Sequence, residues 1–199
     1  MRKKIIFVIT AVVLVAAAVL SAVRISFLNE KYPDPQIVEY KTGEKIDGGA
    51  VKLRINRTEM LDGGQFKKVC PEYVEDVYDY DGNKITEDQY RVILIYADVI
   101  NETSELQSIG LGQFRTMTKT WSNGIESTIY NHLNDVKDKE KLGLDRVDVE
   151  AGKSKAIILP YVLYDFQFHN DEWENIKNDD FLLSMSYYPV KYVVDLDIT

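Results

Sequence analysis

The residues best suited to chemistry in this chain are its 32 carboxylates, two histidines and one cysteine. Asp79-Tyr80-Asp81-Gly82-Asn83 begins like a calcium loop. An EF-hand needs Gly at its sixth position and Glu at its twelfth, and here Lys84 and Tyr90 stand there. A looser cation site from Asp79, Asp81, Asn83 and Glu87 competes with a plain hairpin turn, and the turn is the simpler reading. His132 and His169 stand apart in no metal-ligating spacing. His169 with Asp165, Asp171 and Glu172 makes an acidic cluster that a charged loop explains as well. Cys70 has Lys67 and Lys68 nearby but no histidine in register to activate it. There is no Gly-x-Ser-x-Gly elbow and no phosphate loop, and Gly110-Leu111-Gly112 reads as a bend. A glycosidase pair would need two selected carboxylates, and nothing selects them. Trp121 and Trp173 are candidates for an aromatic platform, or for the core. No catalytic residue, metal or cofactor is marked.

Composition narrows the classes further. Hydrophobic residues make up 45% of the 199 and charged residues 28%, the balance of a globular chain. The net charge of -8 argues against nucleic acid, whose recognition starts from a basic face. A single cysteine precludes an intrachain disulfide. Asn56-Arg57-Thr58 and Asn101-Glu102-Thr103 match the glycosylation sequon and are read as chance matches.

The N-terminus says where such a chain resides. Residues 1–4 carry Arg2, Lys3 and Lys4, and Ile5 to Val23 is free of charge. As a helix that run spans roughly 28 Å, against about 30 Å of bilayer hydrocarbon. Neither Leu20-Ser21-Ala22 nor Val19-Leu20-Ser21 is a small-x-small cleavage site. The run therefore reads as a transmembrane anchor, with cleaved signal and secretion as the alternative, and no cysteine lies near its end for lipid attachment. Orientation by the positive-inside rule puts residues 1–4 in the cytoplasm and the rest outside. Residues 24–35 read as a tether, with Tyr32-Pro33-Asp34-Pro35 refusing helix. Residues 36–199 then form one acidic extracytoplasmic domain.

That domain reads as strands. Val51, Leu53 and Ile55 alternate with Lys52, Arg54 and Asn56. Tyr90–Ile100 is the central strand, apolar enough to have both faces covered, with Ile93, Ile95, Ala97 and Val99 toward a second sheet. Phe114–Trp121 and Ile125–Tyr130 flank Ser122-Asn123-Gly124, an Asn-Gly hairpin turn. Ser154–Tyr164 contains Pro160, which predicts an edge or a bulge. Phe181–Tyr188 and Lys191–Ile198 close the chain, while Asn134–Leu144 and Glu172–Lys177 are the helical candidates. Eight or nine strands predict an all-β fold, an antiparallel sandwich behind an N-terminal helix.

The strand Tyr90-Arg-Val-Ile-Leu-Ile-Tyr-Ala-Asp-Val-Ile followed by Asn101-Glu-Thr-Ser resembles telokin-like, immunoglobulin-fold proteins of Gram-positive bacteria, families of unknown function. Val149-Glu-Ala-Gly-Lys-Ser-Lys-Ala-Ile-Ile-Leu is similar to their later turn-and-strand. The resemblance covers Ala50 to Tyr164 and implies an immunoglobulin-like sandwich outside the membrane, with no catalytic residues to transfer. The function expected is a membrane-tethered, non-enzymatic module, held by Ile5 to Val23, that binds an extracytoplasmic protein or envelope component. Its binding loops are expected at Trp121, Ser122, Asn123 and Gly124 and in Asn131–Leu144. Two alternatives stand beside it. One is an envelope hydrolase using unmarked carboxylates; the other is an accessory subunit packing its helix on a partner through Ala16, Ala17 and Ala18.

Overall fold

A computed structural model describes residues 2–71, 78–136, 146–187 and 189–198. The chain divides into two units, residues 1–36 and 37–199. The first is built on one helix, α1 (Arg2–Lys31). It runs eight residues past Val23, so the start of the expected tether is helical. It ends where Tyr32-Pro33 begins, because a proline disfavours helical backbone in the residue before it. From Ile9 to Lys31 it is long and apolar enough to cross a membrane.

The second unit holds eleven strands and three short helices among its described residues: β1 (Gln36–Lys41), β2 (Lys45–Asp47), β3 (Lys52–Asp62), α2 (Gly63–Val69), β4 (Tyr90–Ile100), β5 (Gln107–Ile109), β6 (Arg115–Met117), β7 (Ser122–Gly124), α3 (Ser127–Leu133), β8 (Val147–Val149), β9 (Ser154–Tyr164), α4 (Asn170–Asn175), β10 (Leu182–Ser184) and β11 (Val190–Asp195). One sheet has the order β2-β3-β4-β9, all antiparallel. The other has the order β1-β11-β10-β6-β7. A β5-β8 ribbon completes the β structure. The result is a β-sandwich-like fold.

Tyr90–Ile100 is the organising element, as its composition predicts. Ile93, Ile95, Ala97 and Val99 face the second sheet and pack with Leu183, Val194 and Phe181. Val92 and Leu94, on the opposite face, pack with Phe66 of α2 and Ile129 of α3. Helices thus cover the side of the sheet that the sandwich leaves open, which accounts for the unbroken apolar run. Pro160 lies in β9, an edge strand, where its missing N–H leaves no rung of the β4–β9 ladder empty. Its carbonyl accepts from Glu126 N–H at 2.9 Å.

Two local expectations are overturned. Ser122-Asn123-Gly124 is strand β7, paired with β6, and neither Asn123 nor Gly124 adopts a positive φ. The turn is four residues earlier, closed by Thr118 N–H to the Trp121 carbonyl at 2.8 Å. Thr118 Oγ1 accepts from Trp121 N–H, doing locally what the Asn-Gly pair was expected to do. Ile125–Tyr130 is not a strand either: it enters α3, whose first turn is capped by the Glu126 carboxylate accepting from Ile129 N–H at 2.7 Å. Of the helix expected over Asn134–Leu144, Asn134 is the C-cap of α3 and residues 134–136 are not helical, while 137–145 lie outside the described residues. The Glu172–Lys177 candidate holds, as the end of α4 and the 3-10 turn that follows.

Candidate binding surface

The expected chemical groups are mostly committed to holding the fold. Asp79 accepts from Asp81 N–H, Asn83 N–H and Asn83 Nδ2, so its oxygens brace the turn at Gly82 (φ +80°). Those donors hold its carboxyl below the usual range. Glu87 pairs with Lys67, and no metal-holding group of three ligands occurs among the described residues. Cys70 is the buried C-cap of α2. His169 is the N-cap of α4, where its backbone N–H donates to Glu172 Oε2 at 3.1 Å. His132 lies in the last turn of α3.

Trp121 is only 8% exposed. Its ring packs on Phe168 and Phe181, and its Nε1 donates to Gln167 Oε1 at 3.1 Å. Trp173 is half-buried under the Arg91 guanidinium, 4.5 Å from the ring centre. Trp121 is therefore a core residue, and Trp173 packs on Phe168 at the margin of that core. Asn123 donates through Nδ2 to the Val162 carbonyl at 2.9 Å, which ties β7 to the rim of β9. Within Trp121–Gly124, Ser122 alone is exposed. Asn101 is 1% exposed, with its amide donating to the Glu105 and Val149 carbonyls, so its sequon cannot carry a glycan in the folded state.

Among the described carboxylates whose pKa is shifted, every one is shifted down. Asp98 is held low chiefly by Arg54, and Asp148 by Ser108 and then Arg146. Glu102 is lowered to about 2 by Lys52 and Lys45, which both reach it from the adjacent hairpin. These are structural anions. A general acid would need its pKa raised.

A groove of about 590 Å³ lies on the face of the β1-β11-β10 sheet. Leu182, Val193 and Tyr40 form its apolar part, and Glu39, Glu44, Asp180 and Asp195 line it beside Lys41. Asp180 also borders a smaller cleft of about 170 Å³, shared by the Thr118–Thr120 turn, Glu172 and Asp179. The two clefts make one acidic surface along the Asp179–Asp180 loop. Reasoning from sequence missed it, because its members come from four separated segments and none is a motif. A third hollow, of about 550 Å³, lies between β9, α3 and Arg57, whose guanidinium stacks 3.6 Å from the centre of the Tyr96 ring.

A family model for a domain of unknown function, DUF5028, matches residues 30–192. An uncharacterised β-sandwich protein from Clostridium difficile 630 is similar in structure, with a TM-score of 0.45 and 13% identity over 82% of this chain and 97% of that one. The yjhA protein from Bacillus subtilis has a TM-score of 0.43 and 15% identity over 79% of this chain and 99% of that one. No curated protein matches.

Proposed function

We propose that this chain, which belongs to the DUF5028 family, a domain of unknown function, is a membrane-tethered binding module. In this reading α1 spans the membrane through Ile5 to Val23, residues 1–4 stay in the cytoplasm, and an immunoglobulin-like, telokin-like sandwich works outside the cell. Its ligand is an extracytoplasmic protein or envelope component.

One observation carries the binding half: an exposed sheet face on which three carboxylates have no ion-pair partner. Glu39, Asp180 and Asp195 make no ion pair among the described residues. By contrast Lys45, Lys52, Arg54, Arg57, Lys67 and Arg146 all pair within the domain. Carboxylates left free in a concave surface serve recognition better than folding. Length and composition of α1 support the tether. Washing membranes at high salt tests it, since a spanning helix resists salt that strips peripheral proteins. Retention in the pellet is the expected result; a soluble product beginning near Val23 or Arg24 overturns the anchor. Protease added to intact cells should digest the domain, and full protection would overturn its outward placement.

A further inference from the structure

We propose that the free edge of β1 and the adjoining acidic groove take up an extended, lysine- or arginine-bearing segment of a partner protein, added as one more strand to the sheet. This rests on the binding-module reading and names the partner's chemistry.

β1 is the outermost strand of its sheet, with β11 on one side and, among the described residues, no strand on the other. Ile37 is 57% exposed, and Gln36, Glu39 and Lys41 are exposed as well. The Lys41 N–H closes on Glu44 Oε2 at 2.9 Å, and the Lys41 carbonyl accepts from Glu44 N–H at 3.1 Å. Backbone groups alternate between the two sides of a strand, so those of Ile37 and Glu39 share the side on which Lys41 makes these bonds. They form an uncovered template for a further strand. The β9 edge, by contrast, is filled: Ile158 exchanges two bonds with the Asn134 amide, and the Pro160 and Val162 carbonyls accept from Glu126 and Asn123.

The groove beside this edge says which strand fits. Its apolar part, Leu182 and Val193, suits the aliphatic stem of a long cationic side chain. Its free carboxylates, Glu39, Asp180 and Asp195, suit the charged head. An anionic polymer would be repelled, and an apolar strand would strip water from carboxylates it could not pair. A small polyamine would meet the charges and leave the backbone edge unused.

The test uses the full chain in detergent micelles and labelled peptides of alternating lysine and valine, read by fluorescence anisotropy. Controls are the same peptide with glutamate for lysine, its backbone N-methylated form, and spermine. The lysine peptide should bind, with the glutamate and N-methylated peptides at least about tenfold weaker, roughly 1.4 kcal/mol. Asp180→Asn with Asp195→Asn should weaken the lysine peptide by a similar factor while leaving the unfolding midpoint unchanged. N-methylation without effect, spermine competing as well as the peptide, or undiminished binding to the double variant would each overturn the proposal. Salt-resistant attachment is measured separately, so a negative peptide result leaves the tether standing. A chain stripped by salt that still binds the peptide would remove the tether and keep the site.

Discussion

At the scale of single residues, the fold concentrates its demands on a few side chains. Ile95 has no exposed surface and lies between the two sheets. Ile95→Ala should cost about 2–5 kcal/mol in urea unfolding, and an unchanged midpoint would place the core elsewhere. Asn101 is as deeply placed but polar, and its amide feeds carbonyls at 2.7 and 2.9 Å that have left water. Asn101→Ala leaves them short of donors, at about 1–3 kcal/mol. Glu102 is exposed, and its effect appears only through pH. Its folded carboxyl titrates at about 2, below the ordinary 4.5. A depressed acid stabilises the fold above its unfolded pKa and loses that contribution as pH falls through the folded value. Stability should therefore decline from about pH 4.5 toward 2. In Glu102→Gln that stretch of the pH profile should flatten, and high salt should shrink the difference between the two proteins. Lys52, raised above 10.5 by the same pair, acts in the opposite sense: its contribution is complete below 10.5 and is lost at higher pH.

Among the elements, those read correctly share one property: their pattern is long enough to outvote local chemistry. β4 and β9 each run for eleven residues with apolar character that no helix period fits, and their limits, Tyr90–Ile100 and Ser154–Tyr164, are those read from the sequence. The misread elements are short. At Ser122–Gly124 the Asn-Gly pair promised a turn, yet the Asn123 side chain is taken up by the Val162 carbonyl and Gly124 N–H, across and along the sheet. In α3 a β-prone run became helical because Glu126 caps it and because the outer face of β4 needed a cover. α2 was not anticipated at all, although Asp62 and Gln65 form a capping box. Gly63 opens that helix because a Cβ there would sit 2.3 Å from the Glu87 carbonyl, a contact made by distant chain that no local pattern reveals. The caps can be tested directly. Glu126→Ala should cost about 1 kcal/mol, the usual loss of an N-cap, in equilibrium denaturation. A neutral result would mean that burial of Ile129 and Tyr130 alone holds α3 in place.

For the whole molecule, the division of labour between helix and sandwich makes the last prediction. Every residue of the buried core lies at or after Ile46, and both hydrophobic clusters close entirely within 37–199. Described side chains of α1, among them Val12, Leu14, Leu20 and Phe27, are exposed. Location was legible in the sequence because a charge-free run needs no partner to be recognised. The acidic groove was not, because it exists only once Tyr40, Asp180 and Asp195 are carried together by strands far apart in the chain. If the sandwich depends on its own core, removing residues 1–36 should leave its melting temperature within about 2–4 °C of the full chain's, the equivalent of roughly 1 kcal/mol at this size. The measurement is circular dichroism of the fragment beside the full chain in the same detergent, with a single cooperative transition expected for each. The fragment should also keep the tyrosine-rich near-ultraviolet signal of a packed interior, since Tyr130 and Tyr161 are buried in a cluster made of residues within 37–199. A fragment that melts early or loses that signal would show that α1 does more than tether, and that the domain's stability is shared with it.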